Sequence, residues 1–252
     1  QRIEALKPTH RLYGTLKREL ARYRAAEGSP VPAPVPSGPS QRPDGRPPRV
    51  VPLMRRIEVA CLAPNGTDMS VTRIVPATPA FDEAMAAFSR NTLMSTDRGL
   101  VAVEDLWPGD HIRTVGHGFQ PLLWKSSTLL VADAPGQDPS MGRMTRIMAD
   151  GLGIARPMPD LVLGPRARLV HRAPGITRLT GADAALIPAR DFIDGQSVID
   201  LAPLSPVPVF HLGFAAHERL VANGVEVESF HPGPIHRLGL RGDLADLYLS
   251  LF

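Results

Sequence analysis

The sequence predicts a mainly β fold, with a short helix near the N-terminus and a helical tail at the C-terminus. Three observations point there. Ala222-Asn223-Gly224 joins two short runs of alternating apolar residues between Phe210 and Ser229. Asn-Gly between such runs is the strongest short-range signature of a type I′ hairpin, because both central residues need positive φ. Turn signals also recur every few residues from Thr92 to Val131, at the density of an all-β body. Finally, 27 of the 252 residues are proline, about twice the usual share. Proline is excluded from helix interiors and central strands, so short strands and turns are favoured.

Residues 1–27 read as a basic amphipathic helix. Leu12, Leu16, Leu20 and Tyr23 share one helical face. Arg2, Lys7, Arg11, Lys17, Arg18, Arg22 and Arg24 outweigh Glu4, Glu19 and Glu27. A solvated helix is the plain reading, and a nucleic-acid or acidic-lipid contact is the alternative. A helix of this length is marginal alone in water, so it calls for a partner surface. Residues 28–52 carry nine prolines from Pro30 to Pro52 and read as an extended proline-rich linker. A plain spacer is the reading kept, beside a ligand for a proline-recognising module.

Residues 53–84 form a β lead-in. Ile57, Val59 and Cys61 alternate as a strand, Pro64 to Thr67 is a turn, and Met69 to Val75 returns. Phe81 to Phe88 is expected to be helical, with Asp82 and Glu83 at its start. Strands are predicted at Thr92–Thr96, Leu100–Val103, His111–Val115, Gln120–Trp124 and Ser127–Val131. Residues 133–160 are irregular, with a helical turn expected around Arg143 to Met148. Further strands fall at Leu161–Leu163, Arg168–Val170, Ile187-Pro188 and Val209-Phe210. The tail, 236–252, is a closing amphipathic helix with Leu244, Leu247, Tyr248 and Leu251 on one face.

Several function classes find no support. No run approaches the ~20 apolar residues of a membrane span. Cys61 is the only cysteine, so neither an intrachain disulfide nor a cysteine-based metal site can form. His211, His217, His231 and His236 fall in one region but lack the tight spacing of a zinc site. No cofactor, metal or nucleic-acid partner is expected. The N-terminus is charged and lacks a secretory core segment, so a cytoplasmic location is the expectation.

Three stretches carry a resemblance to a known family. The first runs from Ala87 to Thr96, then Arg98-Gly99, and ends on the corner Val103-Glu104-Asp105-Leu106-Trp107-Pro108-Gly109-Asp110. The second is Leu163-Gly164-Pro165-Arg166-Ala167-Arg168-Leu169-Val170. The third is the Asn-Gly hairpin, continuing through Glu228-Ser229-Phe230-His231-Pro232-Gly233. In this order they resemble the Hint domain, the self-processing module of Hedgehog proteins and inteins, over about residues 85–235. The ending is similar to a bacterial subset of Hint-domain proteins rather than to splicing inteins. The resemblance implies a compact β fold, a horseshoe of short strands.

Active members use a cysteine or serine that attacks the preceding carbonyl, a Thr-x-x-His segment that polarises that bond, and a terminal His-Asn pair. The resemblance places the nucleophile position at Ala87, the Thr and His at Gly164 and Ala167, and the terminal pair at Glu228-Ser229. Only His217 keeps the family's hairpin histidine. Ser89 and His171 are rescue candidates, although Ser89 lies about 6.5 Å along a strand from the family position. The expected function is therefore a Hint-fold protein without self-cleavage, a structural or protein-binding module that reaches another protein through its N-terminal helix or linker. The alternative is an autoproteolytic domain that cleaves near Ala86-Ala87 or Phe88-Ser89 through an N–O acyl shift.

Overall fold

A computed structural model describes residues 52–63 and 66–252. The expected N-terminal helix and almost all of the proline-rich linker lie outside the described residues, as do Pro64 and Asn65 of the first turn. Among the described residues the protein is mainly β, with sixteen strands and three short α-helices.

The chain opens with β1 (Met54–Leu62) and β2 (Asp68–Pro76), paired antiparallel along their whole length. Helix α1 spans only Pro79–Glu83. It gives way to β3 (Phe88–Ser89), β4 (Leu93–Thr96), β5 (Gly99–Ala102), β6 (His111–Thr114), β7 (Gly118–Pro121) and β8 (Trp124–Leu130). Then come β9 (Met144–Ile147), β10 (Leu161–Leu163), β11 (Arg168–His171), α2 (Pro174–Thr180), β12 (Ala185–Pro188) and β13 (Val198–Leu201). The chain closes with β14 (Val207–Gly213), β15 (Arg219–Ala222), β16 (Val225–Glu228) and α3 (Asp243–Leu249).

The strands form two antiparallel sheets. One runs β13-β9-β10-β3-β14-β8-β1-β2, and the other runs β12-β11-β16-β15-β4-β6-β7 with β5 against β4. The largest core cluster draws on both sheets, with Phe88, Met94, Ile112, Leu163, Phe214 and Leu220 fully buried. A second core joins β1 and α1 to α3, where Phe81 meets Tyr248 edge-on at 5.4 Å.

The predicted turn chemistry appears in place. Asn223 and Gly224 have φ of 47° and 85° between β15 and β16. A side chain on Gly224 would also meet the Ala155 carbonyl at 2.6 Å, so glycine is required twice over. Asn223 does more than turn the chain. Its Oδ1 accepts the Leu93 N–H at 2.7 Å, and its Nδ2 donates to the Pro159 and Asp160 carbonyls. At the Pro108-Gly109-Asp110 corner, Asp110 accepts the Trp107 N–H at 2.8 Å and pairs with Arg98.

Four expectations are corrected. The helix expected over Phe81–Phe88 ends at Glu83, because Phe88 extends to pair with both Phe210 and Leu163. In this five-residue helix Asp82 still falls in the first turn, while Glu83 is its last residue. The helical turn expected around Arg143–Met148 is β9, held between β10 and β13; pairing on both edges overrides local propensity. The run Gln120–Trp124 breaks after Pro121, and Trp124 begins the next strand. The closing helix is shorter than expected and buries Ala245, Tyr248 and Leu249, while Leu244 faces water. Strand β13 and helix α2 were not anticipated.

Candidate functional site

The junction at Ala86-Ala87 sits where three strands meet. Residues Ala84 to Phe88 are all fully buried, and small side chains let neighbouring backbone close over them. The segment from Gly164 to Ala167 turns tightly, with the Ala167 N–H on the Gly164 carbonyl at 3.2 Å. That turn lays two donors on the junction. The Gly164 N–H donates to the Ala87 carbonyl at 2.8 Å, and the Arg166 N–H donates to the Ala86 carbonyl at 2.9 Å. The Ala87 N–H in turn donates to Phe210 at 3.1 Å.

Gly164 is glycine for a steric reason. A Cβ built on it would lie 2.4 Å from the Ala86 oxygen and 2.9 Å from its carbon. Threonine, the residue implied there by the resemblance, does not fit this backbone. Ala87 offers only a methyl group, and Ala167 is buried beside it in the same core cluster. The arrangement holds a polarised carbonyl at Ala86 with no nucleophilic side chain at Ala87.

Charge surrounds this apolar centre. Arg55 Nε donates to Asp82 at 2.8 Å with both side chains buried. Arg166 reaches Asp138 at 3.5 Å, Glu83 at 3.7 Å and Asp82 at 3.9 Å. Arg168 bridges Glu83 at 2.9 Å and Glu228 at 3.0 Å. Glu228 then meets His217 Nε2 at 2.9 Å. The chain of ion pairs thus runs from buried Arg55 to half-exposed His217, whose ring lies 5.9 Å from that of His231.

Burial and charge compete along it. Burial pushes the Asp82 carboxyl up, against the pull of Arg55 and Arg166. It pushes Glu83 up as well, against Arg168 and Arg166. Burial also pushes on Glu228, but hydrogen bonds and charge from His217 and Arg168 outweigh it and hold that carboxyl below its usual range.

His211 is a further buried polar group of the site. Its ring stands edge-on to Phe88 at 5.4 Å and lies 5.5 Å from Phe230. Nδ1 accepts the Leu212 N–H at 3.1 Å. Burial lowers its pKa to about 3, so the imidazole is neutral at ordinary pH.

The residues singled out from the sequence fall into separate places. Ala87, Gly164 and Ala167 come together at the junction. Glu228 and His217 pair with each other, and Ser229 Oγ accepts the Glu218 N–H at 2.8 Å. Ser89 is buried in β3 beside a cleft lined by Asn91, Met144, Leu201 and Val207. His171 stands edge-on to Phe192 at 5.5 Å in a different cleft, beside Arg172 and Glu226. Burial pushes the half-buried Cys61 thiol up. His117 meets buried Glu218 at 2.9 Å, and His111 lies 3.8 Å from Asp97. Among the described residues, no group of three or more His, Cys, Asp or Glu is placed to hold a metal ion, and no helix is long and apolar enough to cross a membrane.

Arg166, Arg168, Glu83 and His211 were not marked from the sequence as parts of the site. The one sequence hint was Arg-Ala-Arg alternating into a strand, which puts two cations on one side.

The family model described as the Hint domain matches residues 86–234, more than half of the chain. The chain belongs to the Hint domain family. A comparison with curated proteins finds no match. Two solved structures resemble this Hint protein. One is the bacterial intein-like domain from Clostridium thermocellum, at 12% identity and a TM-score of 0.40, covering 58% of this chain and 99% of that one. The other is a splice-inactive variant of the AceL NrdHF class 3 split intein, at 11% identity and a TM-score of 0.40, with the same two coverages.

Proposed function

We propose that this Hint domain does not cleave itself and serves as a structural or protein-binding module. One observation carries the reading: the carbonyl an active member would attack, that of Ala86, is buried against Gly164 and followed by a methyl group. The Arg166 N–H supplies the polarising donor that acyl transfer needs. The nucleophile that would use it is missing, and so is the general acid at Ala167. Ser89 lies beyond the junction and beside a cleft it does not share with His171. The partner is another protein, reached through the segment upstream of residue 53.

The test is the denatured mass of freshly purified full chain, held with and without dithiothreitol or hydroxylamine. Hydroxylamine cleaves both esters and thioesters, and dithiothreitol cleaves thioesters. A single unchanged mass over days is expected. Fragments ending at Ala86 or Phe88, abolished by Ser89→Ala, would return the protein to the self-processing class.

A further inference from the structure

The family match begins at residue 86, yet the residues before it are built into the same fold. In a self-processing member, the chain before the junction is what leaves. We infer that residues 53–86 of this protein remain bound to residues 87–252 whether or not the Ala86-Ala87 bond is intact. The body of the domain carries an interaction surface, and its partner is the chain's own upstream segment.

The contacts across the junction are extensive and of several kinds. β1 is an interior strand, paired with β8 from Ile57 opposite Thr128 to Cys61 opposite Trp124. The Leu62 N–H extends this ladder to the Leu123 carbonyl at 3.0 Å. Two hydroxyls on β8 reach back to the upstream backbone: Thr128 Oγ1 donates to the Arg56 carbonyl at 2.8 Å, and Ser126 Oγ to the Ala84 carbonyl at 2.5 Å.

Ile57, Val75 and Phe81 are fully buried in a core completed by Trp124, Tyr248 and Leu251. Removing the segment would expose both halves of that core to water. It would also strip one side of β8, which stays paired only with β14 and becomes an open sheet edge. Glu83 is held by Arg168 and Arg166, and Arg55 donates to Gln137 at 3.0 Å. These are the features of an obligate interface, apolar at the centre and ionic at the rim. Anything attached upstream of residue 53 therefore stays with the domain even after a cut at the junction. Cleavage would be silent to any measurement of native size.

A specific-protease site inserted between exposed Arg90 and Asn91 of the full chain tests this. The folded chain is cut and passed over a sizing column at about 1 μM. One peak holding both fragments, with unchanged near-UV circular dichroism and separation only in concentrated urea, is the expected result. Two native peaks would overturn the inference. Because that cut leaves β3 on the upstream fragment, 1–86 and 87–252 are also co-expressed with only the first tagged. Capture at one-to-one stoichiometry then supports the inference, and a folded but uncaptured 87–252 overturns it. Self-cleavage is read separately, from the denatured mass of the unaltered chain.

Discussion

Replacing Gly164 by alanine tests how tightly the junction is closed. The added carbon would stand 2.4 Å from the Ala86 oxygen, whereas carbon–oxygen contacts settle near ~3.3 Å. About 0.9 Å must be found, and both partners are backbone. Each is also pinned, Gly164 by its bond to the Ala87 carbonyl at 2.8 Å and Ala86 by the Arg166 N–H at 2.9 Å. A shift of that size stretches both bonds past the hydrogen-bonding limit. Two lost bonds cost about 1 kcal/mol each, and overpacking a dense core adds about 1–3 kcal/mol. The sum, roughly 3–5 kcal/mol, lowers Tm by about 6–20 °C for a domain of this size. Urea unfolding followed by the fluorescence of buried Trp124 measures it. Gly175→Ala in α2 is the control, since nothing lies within 4 Å of its added carbon; it should gain up to ~1 kcal/mol. A Gly164→Ala protein within about 0.5 kcal/mol of the parent, which is ordinary surface-substitution scatter, would refute the closed-junction argument.

Three further outcomes follow from named contacts. Asn223→Ala removes the acceptor of the half-buried Leu93 N–H and two donor bonds, and should cost about 3–4 kcal/mol in urea unfolding; a loss under 1 kcal/mol would show that the turn alone matters. Arg55→Ala leaves Asp82 buried with only Arg166 at 3.9 Å, and should cost about 3–5 kcal/mol, more than Asp82→Asn; the reverse order would contradict the burial of that carboxyl. The third is a pH dependence. His211 has a folded pKa of about 3 against 6.5 unfolded, so the unfolded chain takes the proton first. Its contribution is intact above pH 6.5 and shrinks as pH falls from 6.5 toward 3, by up to ~1.4 kcal/mol per unit. Parent and His211→Gln should differ in relative stability by about 2 kcal/mol between pH 7.5 and 5.0. Glu228, Arg168 and His217 face this ring in both proteins and cancel in the comparison. An equal gap at the two pH values would show that His211 takes up a proton without unfolding.

What was legible in the sequence was local. Asn223-Gly224 and Pro108-Gly109-Asp110 specify their turns within four residues, because positive φ and side-chain-to-backbone bonds leave few alternatives. What was hidden depends on distant partners. Met144 to Ile147 has no alternation strong enough to read as a strand; β10 and β13 make it one. Helix α3 was read by apolar residue type, yet the packed face is set by what meets it, Phe81 against Tyr248. The site divides the same way. Ala87, Gly164 and Ala167 were found by position in a motif. Arg168 joins Glu83 and Glu228 across 85 and 60 residues, a relation that no local pattern encodes.

The features of the junction form one physical set. A nucleophile at residue 87 would need room to approach the Ala86 carbonyl, and Gly164 has closed that room. A general acid at residue 167 would need a polar setting, but Ala167 lies in the main apolar core. Hydrolysis would need water, and Ala86 and Ala87 are sealed from it. A productive cut would need a product able to depart, while β1 is held between β8 and β2 and Glu83 is gripped by Arg168. A cysteine placed at residue 87 meets none of these four requirements by itself. On the proposed reading, packing holds the domain back as much as the missing side chains do, and the same packing makes the upstream segment part of the fold.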